Sequence, residues 1–124
     1  MKAINKKAQK VLETLISKMN EGYVKIDNSN GGFMPVVVED IGGGMISVAH
    51  YTEMNGDLIP DPEMVLWKGA DGRWYPTYMK DFLGEQPSLF FENGKPSRIW
   101  THLQHDQATF AGVWFDNIKR QQGL

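Results

Sequence analysis

The sequence predicts an α+β fold, in which an antiparallel meander of about five to seven strands is flanked by an N-terminal and a C-terminal helix. Apolar residues recur at helical spacing near both ends of the chain, and turn signals of the β-hairpin type punctuate its middle. Tight turns join antiparallel strands, whereas parallel strands need long crossover connections. A chain of 124 residues has the size of one domain. We therefore expect residues 1–124 to form a single α+β domain.

Both predicted helices are amphipathic. The first spans residues 5–19, with an apolar face and lysines opposite it. That apolar face contains Ala8, Val11, Leu12, Leu15, Ile16 and Met19. The C-terminal helix follows Thr101 or Asp106 as N-cap, carries Lys119 and Arg120 in its last turn, and stops at Gly123. Its apolar stripe contains Phe110, Ala111, Trp114 and Ile118.

Three hairpin signals divide the segment between the helices. They are Asn55-Gly56, the run 69–72, and Asn93-Gly94. The clearest strand, residues 45–53, alternates so that Ile46, Val48 and His50 share one face. In the strand that begins at Arg73, alternation predicts Trp74 and Tyr78 on one face, with Tyr75 and Met79 on the other. The sheet is therefore predicted to be an antiparallel meander.

Composition narrows the classes of function. The formal net charge of −2 gives no global support for binding to nucleic acid, which favours a strongly basic surface. No cysteine is present, so disulfides and thiolate chemistry are excluded. No apolar run is long enough to span a membrane, and no secretory signal is visible. We predict a cytoplasmic protein that contacts no membrane and uses no cofactor.

The first hairpin carries the densest group of chemically active side chains. Carboxylate oxygens can bind a hard divalent cation, so one alternative function is that of a metal-dependent hydrolase of nucleic acid. Its centre would be formed by His50, Glu53, Asp57, Asp61 and Glu63. The spacing argues against a nuclease, because Lys68 has Leu66, not a carboxylate, two positions before it. The hairpin turn explains the presence of Asp57 without any metal ligand. A histidine on the core face of a strand is most often a partly buried residue with one ring nitrogen hydrogen-bonded. We therefore predict no metal site.

Aromatic residues crowd the second half of the sheet, and one face of alternating residues can bury only half of them. They are Trp67, Trp74, Tyr75, Tyr78, Phe82, Phe90, Phe91 and Trp100. Exposed aromatic side chains beside Arg73 suit a protein interface, where Trp, Tyr and Arg dominate the binding energy. They also suit a stacking platform for single-stranded nucleic acid. Residues Tyr51, Arg73, Trp74 and Tyr78 complete the candidate functional surface.

Several runs resemble one known family. Residues 47–58 (SVAHYTEMNGDL) precede the run Asp61-Pro62-Glu63-Met64, and Trp74-Tyr75-Pro76 comes later. Asp81-Phe82 and Gly84 fit the same pattern. The chain resembles, over residues 45 to about 120, a family of small uncharacterised proteins that contain a domain of unknown function. Conjugative plasmids and transposons of gut bacteria carry these proteins. The resemblance implies an accessory role in a mobile element and supplies no catalytic residue.

Together these features favour a non-enzymatic binding or accessory module. We expect it to act through an aromatic-rich sheet face on a protein partner or in a homodimer. The two alternatives are the metal-dependent nucleic-acid hydrolase and a sequence-tolerant single-strand binder.

Overall fold

The computed structural model describes residues 1–53 and 55–124. Its helices are α1 (Lys6–Ser17) and α2 (Thr101–Gln122), and a short 3-10 turn covers Ser29–Gly31. The strands are β1 (Tyr23–Ile26), β2 (Val36–Gly42), β3 (Met45–Met54), β4 (Asp57–Lys68), β5 (Trp74–Asp81), β6 (Gly84–Pro87), β7 (Leu89–Glu92) and β8 (Lys95–Ile99).

Strands β1 to β6 form one antiparallel sheet in chain order, which confirms the predicted α+β meander with flanking helices. Two of the predicted hairpins have the expected turn geometry. Asn55 and Gly56 have φ of 55° and 85°, and Asn93 and Gly94 have φ of 53° and 76°, as a type I′ turn requires. The Asn93-Gly94 hairpin forms a separate two-stranded sheet of β7 and β8.

Sequence reasoning missed strand β6. Its residues Glu85 to Pro87 are polar or are proline, so no apolar alternation marks them. The turn before it presents Phe82 and Leu83 to solvent, 79% and 77% exposed, and Asp81 Oδ1 accepts a hydrogen bond from Leu83 N–H (2.8 Å). Pairing with β5 at one edge of the sheet, not burial of apolar side chains, therefore defines β6.

Both helices pack on the same face of the sheet. Leu12 and Leu15 of α1 and Phe115 and Ile118 of α2 are fully buried against the apolar side chains of β2, β3 and β4. The sheet contributes Val36, Val38, Ile46, Val48, Met64 and Leu66 to this core. Helix α1 begins at Lys6 and ends at Ser17, within the predicted range 5–19, and Asn5 caps it, since Asn5 Oδ1 accepts a hydrogen bond from Ala8 N–H (2.8 Å).

The predicted N-cap of α2 is wrong. The cap is Trp100, which has no capping side-chain hydrogen bond. Thr101 is the first helical residue, one position too late to cap. Asp106 lies in the second turn, where its carboxylate approaches His102 Nε2 at 3.5 Å. The C-terminal end agrees with the prediction, since Gly123 adopts φ of 69° after Lys119 and Arg120.

The predicted faces of β5 are also wrong. The strand has a bulge at Thr77, because Leu66 pairs with Pro76 and Val65 pairs with Tyr78. One extra residue on β5 reverses the alternation after Pro76. Tyr75 and Tyr78 therefore share one face, and Trp74 joins the core on the other.

Candidate functional site

The sheet face opposite the helices carries the most concentrated polar and aromatic surface. We call it the open face. Cross-strand register places its members: Tyr23, Lys25, Val37, Glu39, Ser47, Ala49, Tyr51, Glu63, Val65, Trp67, Tyr75, Tyr78, Lys80 and Glu85. None of them belongs to the apolar core beneath the helices. Val37, Val65 and Trp67 lie on inner strands yet remain only partly buried. Ser47, Ala49 and Tyr75 are buried within it, and its other members are at least partly exposed, so the face is available to a partner.

The middle of the open face holds what we call the tyrosine–glutamate cluster, made of Tyr51, Tyr78, Glu39, Glu63 and Glu85. Glu63 Oε2 accepts a hydrogen bond from Ser47 Oγ at 2.7 Å, which orients that carboxylate. Glu85 Oε1 accepts one from the Tyr78 hydroxyl at 3.0 Å. The carboxylates come from β2, β4 and β6, so strand pairing places them on one surface. The cluster presents negative charge together with phenol groups.

The environment of both phenols extends the pH range over which they stay neutral. Partial burial, followed by the charges of Glu63 and Glu39, raises the pKa of Tyr51 above its ordinary value. Burial and the hydrogen bond to Glu85 raise the pKa of Tyr78 to about 12. Each hydroxyl therefore stays protonated at neutral pH and can both donate and accept a hydrogen bond.

An aromatic group closes one end of the open face. The Trp67 ring lies 5.4 Å from Phe91 in an edge-on arrangement and 6.1 Å from Tyr75. The Arg73 guanidinium carbon lies 5.8 Å from the Tyr75 ring centre, and Arg73 Nε approaches Asp71 Oδ2 at 3.2 Å. The Tyr75 hydroxyl donates to Asp71, and this bond, with the Arg73 backbone N–H, lowers the pKa of the Asp71 carboxyl. Phe91 comes from the separate β7–β8 hairpin.

A groove of about 440 Å³ runs along the other end of the open face. Its walls are Tyr23, Lys25, Pro35, Val37, Glu39, Tyr51 and Leu58. Leu58 belongs to the β3–β4 hairpin and is 70% exposed. The groove thus joins the tyrosine–glutamate cluster to an apolar rim, which suits a side chain that has both apolar and charged parts.

The residues of the predicted hydrolase centre do not come together. His50 is 5% exposed on the helix-covered face, where its Nδ1 lies 2.9 Å from the Pro35 carbonyl oxygen and its ring packs edge-on against Trp114 at 5.6 Å. Glu63 is on the open face, while Glu53 and Asp57 are exposed beside the Asn55-Gly56 turn.

Asp61 lies where the register of β3 and β4 shifts, between the pairs made by Ala49 and Tyr51. Within residues 1–53 and 55–124, no three His, Asp or Glu side chains gather in a way that could hold a metal ion. The residues of the predicted hydrolase centre are therefore divided between the two faces of the sheet and the tip of the β3–β4 hairpin.

The remaining predicted surface residues divide between the two faces. Tyr51 and Tyr78 belong to the tyrosine–glutamate cluster, and Arg73 is exposed at the aromatic end of the open face. Trp74 is 6% exposed in the core, so it is unavailable to a partner. Sequence reasoning missed Glu39 and Glu85 as surface residues. The alternation over residues 36–39 could have identified Glu39 as a surface residue. No sequence feature marked β6, the strand that carries Glu85.

A test of this electrostatic environment is the alkaline stability of the protein. Because the folded-state pKa of Tyr78 lies above the ordinary value of 10, its contribution to stability is fully present below pH 10 and is lost as pH rises toward 12. We expect the melting temperature to fall over this range, and less steeply in Tyr78→Phe. Circular dichroism melts from pH 8 to 12 measure this. Tyr23→Phe, at a site 47% exposed, is the control; identical pH profiles for Tyr78→Phe and the unsubstituted protein would contradict the assignment.

Fold and surface together define the class: an α+β protein whose meander sheet is covered by helices on one face and bears a tyrosine–glutamate cluster on the other. A family model described as a domain of unknown function (DUF6908) matches residues 1–124, so the chain belongs to the DUF6908 family. No curated protein and no solved structure shows significant similarity to the chain. Neither helix in the described part of the chain combines the length and apolarity needed to cross a membrane.

Proposed function

We propose that this protein is a non-enzymatic binding module that holds a basic segment of a partner protein on the open face. The observation that carries the proposal is the tyrosine–glutamate cluster. Four of its five residues lie on the inner strands β2 to β5, Glu85 lies on the edge strand β6, and all five face away from the helices. Tyrosine and tryptophan supply large contact area at low entropic cost, and interface hot spots are rich in them.

Charge selects the partner. Residues 21–100, which contain every strand, hold six basic and twelve acidic side chains, a formal charge of −6. Glu39, Glu63 and Glu85 outnumber Lys25 and Lys80 on the open face, and the remaining formal charge of −1 favours lysine or arginine. The same charge repels nucleic-acid phosphates, which disfavours single-strand binding on this face. It also disfavours a homodimer with two open faces in contact.

The proposed setting is the cytoplasm, as an accessory protein of a mobile genetic element. The mobile-element role rests on the sequence resemblance alone. It predicts that genes for DNA transfer or integration flank this gene, and consistently chromosomal housekeeping neighbours would contradict it.

A peptide titration tests the binding function. The probes are a synthetic peptide of alternating arginine and leucine and a second peptide with glutamate in place of arginine. We expect the first peptide to shift the amide NMR signals of open-face residues and the second to leave them unchanged. Glu63→Lys should weaken binding at least about tenfold, equivalent to about 1.4 kcal/mol.

Glu13→Lys is the matched control, because Glu13 is exposed on α1, away from the sheet. Signal changes confined to the helices, or equal weakening by both charge reversals, would overturn the proposed binding face. A dimer seen by light scattering whose formation protects the open face would assign that face to a second copy instead.

A further inference from the structure

The outer surface between the two helices contains a second groove, distinct from the open face. It has a volume of about 400 Å³, within the usual range for small-ligand sites. Lys7, Lys10 and Thr14 line it from α1, and Asp116 and Lys119 line it from α2. Apolar atoms of Val11 and its neighbours contribute part of the lining.

The charge of this groove is unbalanced. In the described part of the chain, Lys7, Lys10 and Lys119 make no ion pair, whereas Asp116 is already paired with Arg120 at 3.6 Å. The side chains that line the groove include three lysines and one aspartate, and their formal charges sum to +2. More widely, residues 1–20 contain five lysines and one glutamate, a formal charge of +4. The overall charge of −2 therefore conceals a basic helix beside an acidic sheet.

The position of the lysines does not favour helix stability. The first turn of α1 contains Lys6 and Lys7 and no acidic residue. The positive end of a helix dipole lies there, so cations at this end are unfavourable by a few tenths of a kcal/mol. An anion in the groove would be attracted by the lysines and relieve this repulsion.

We infer that the groove binds a small organic phosphate monoester. At neutral pH such a group carries between about −1.5 and −2 charges, which matches the +2 of the groove, and offers several acceptor oxygens to the lysine ammonium groups. The apolar lining can take the organic part of the ligand. The Thr14 hydroxyl donates to the Lys10 carbonyl oxygen (2.9 Å) and retains acceptor capacity toward a ligand hydroxyl.

Thermal melts with three probes test the inference, at constant ionic strength. The probes are phenyl phosphate, inorganic phosphate and the singly charged phenyl sulfate. A ligand that binds only the folded state raises the melting temperature. We expect phenyl phosphate to raise it by several degrees, inorganic phosphate less, and phenyl sulfate least.

The combined substitution Lys7→Gln, Lys10→Gln and Lys119→Gln should reduce phenyl phosphate affinity at least about tenfold. The protein without ligand should melt no more than slightly lower, because Lys7 opposes the dipole of α1 whereas Lys119 favours that of α2. Asp116→Asn should increase affinity several-fold, because it removes a carboxylate side chain from the groove lining. Lys95→Gln, on β8, is the control variant and should leave affinity unchanged.

Three results would overturn the inference. They are no rise in melting temperature with any probe, an equal rise with phenyl phosphate in the triple variant and the unsubstituted protein, or equal rises with phenyl sulfate and phenyl phosphate. Tighter, strongly salt-dependent binding of a thymidine dodecamer through the same lysines would also overturn it and assign the groove to nucleic acid. Each result is independent of the peptide titration on the open face.

Discussion

Replacement of Gln104 by alanine should lower the free energy of unfolding by about 2–4 kcal/mol, a large share of the 5–15 kcal/mol typical of a domain. The Gln104 side chain is fully buried between α2 and β5. Its Nε2 donates to the Pro76 carbonyl oxygen at 2.9 Å, and its Oε1 accepts from Lys2 N–H at 2.8 Å. Removing it creates a cavity and leaves two backbone groups without this partner.

The location of Gln104 explains why the effect should be large. The β5 bulge at Thr77 disrupts the regular strand pairing beside Pro76. Among the described residues, Ser88 Oγ is the only other side chain that donates to the Pro76 carbonyl oxygen, and its distance is a long 3.4 Å. We therefore expect Gln104 to stabilise the bulge, which sets which side chains of β5 lie on the open face.

Urea unfolding measures the effect, with two companion variants. Gln104→Met keeps the side-chain volume and loses both hydrogen bonds, so it should cost about 1–3 kcal/mol. Gln86→Ala is the matched control, because the Gln86 side chain is exposed, and it should change stability by less than about 0.5 kcal/mol. If Gln104→Ala costs no more than Gln86→Ala, the buried hydrogen bonds do not support the bulge.

Replacement of Trp114 by alanine is the second large effect, about 3–5 kcal/mol of unfolding free energy. Trp114 is 6% exposed and lies at the centre of an aromatic group between α2 and the sheet. Its ring centre lies 5.6 Å from His50, 5.8 Å from Phe110 and 5.3 Å from Phe115. The truncation removes all three contacts at once.

Trp114→Phe should be far milder, below about 1.5 kcal/mol. The Trp114 Nε1–H is buried and has no hydrogen-bond partner in the described residues, so phenylalanine loses volume but removes an unsatisfied donor. Thermal and urea unfolding of both variants check this. Equal costs for the two substitutions would contradict the central role of the aromatic contacts. Trp100→Ala, at a position 64% exposed, is the control and should have little effect.

Local patterns predicted most of the framework correctly. The apolar face of α1, the Asn55-Gly56 turn and the Gly123 stop depend on neighbouring residues alone, so propensity and periodicity identified them. The prediction that His50 is a hydrogen-bonded core residue is confirmed, because alternation along β3 placed it with Ile46 and Val48. Strand β6 carried no comparable local signal, and the local signals at Thr101 and Asp106 misplaced the N-cap of α2.

The candidate functional surface depended on contacts that are distant in the sequence. Glu39, Glu63 and Glu85 are separated by more than 20 residues from one another, and only the pairing of β2 to β6 brings them onto one face. The lysine groove likewise needs α1 to lie beside α2. The net charge of −2 averages over both surfaces and so revealed neither.

By itself, then, the sequence determined the elements that local chemistry specifies: two amphipathic helices, an antiparallel meander and most of its turns. Only the tertiary structure decided which side chains share a face. The β5 bulge shows the reason, because one extra residue at Thr77 moves Tyr78 away from the core face that holds Trp74 and places it with Tyr75 on the open face. Side-chain alternation in a strand has a period of two residues, so a single irregularity in pairing reverses every assignment that follows it.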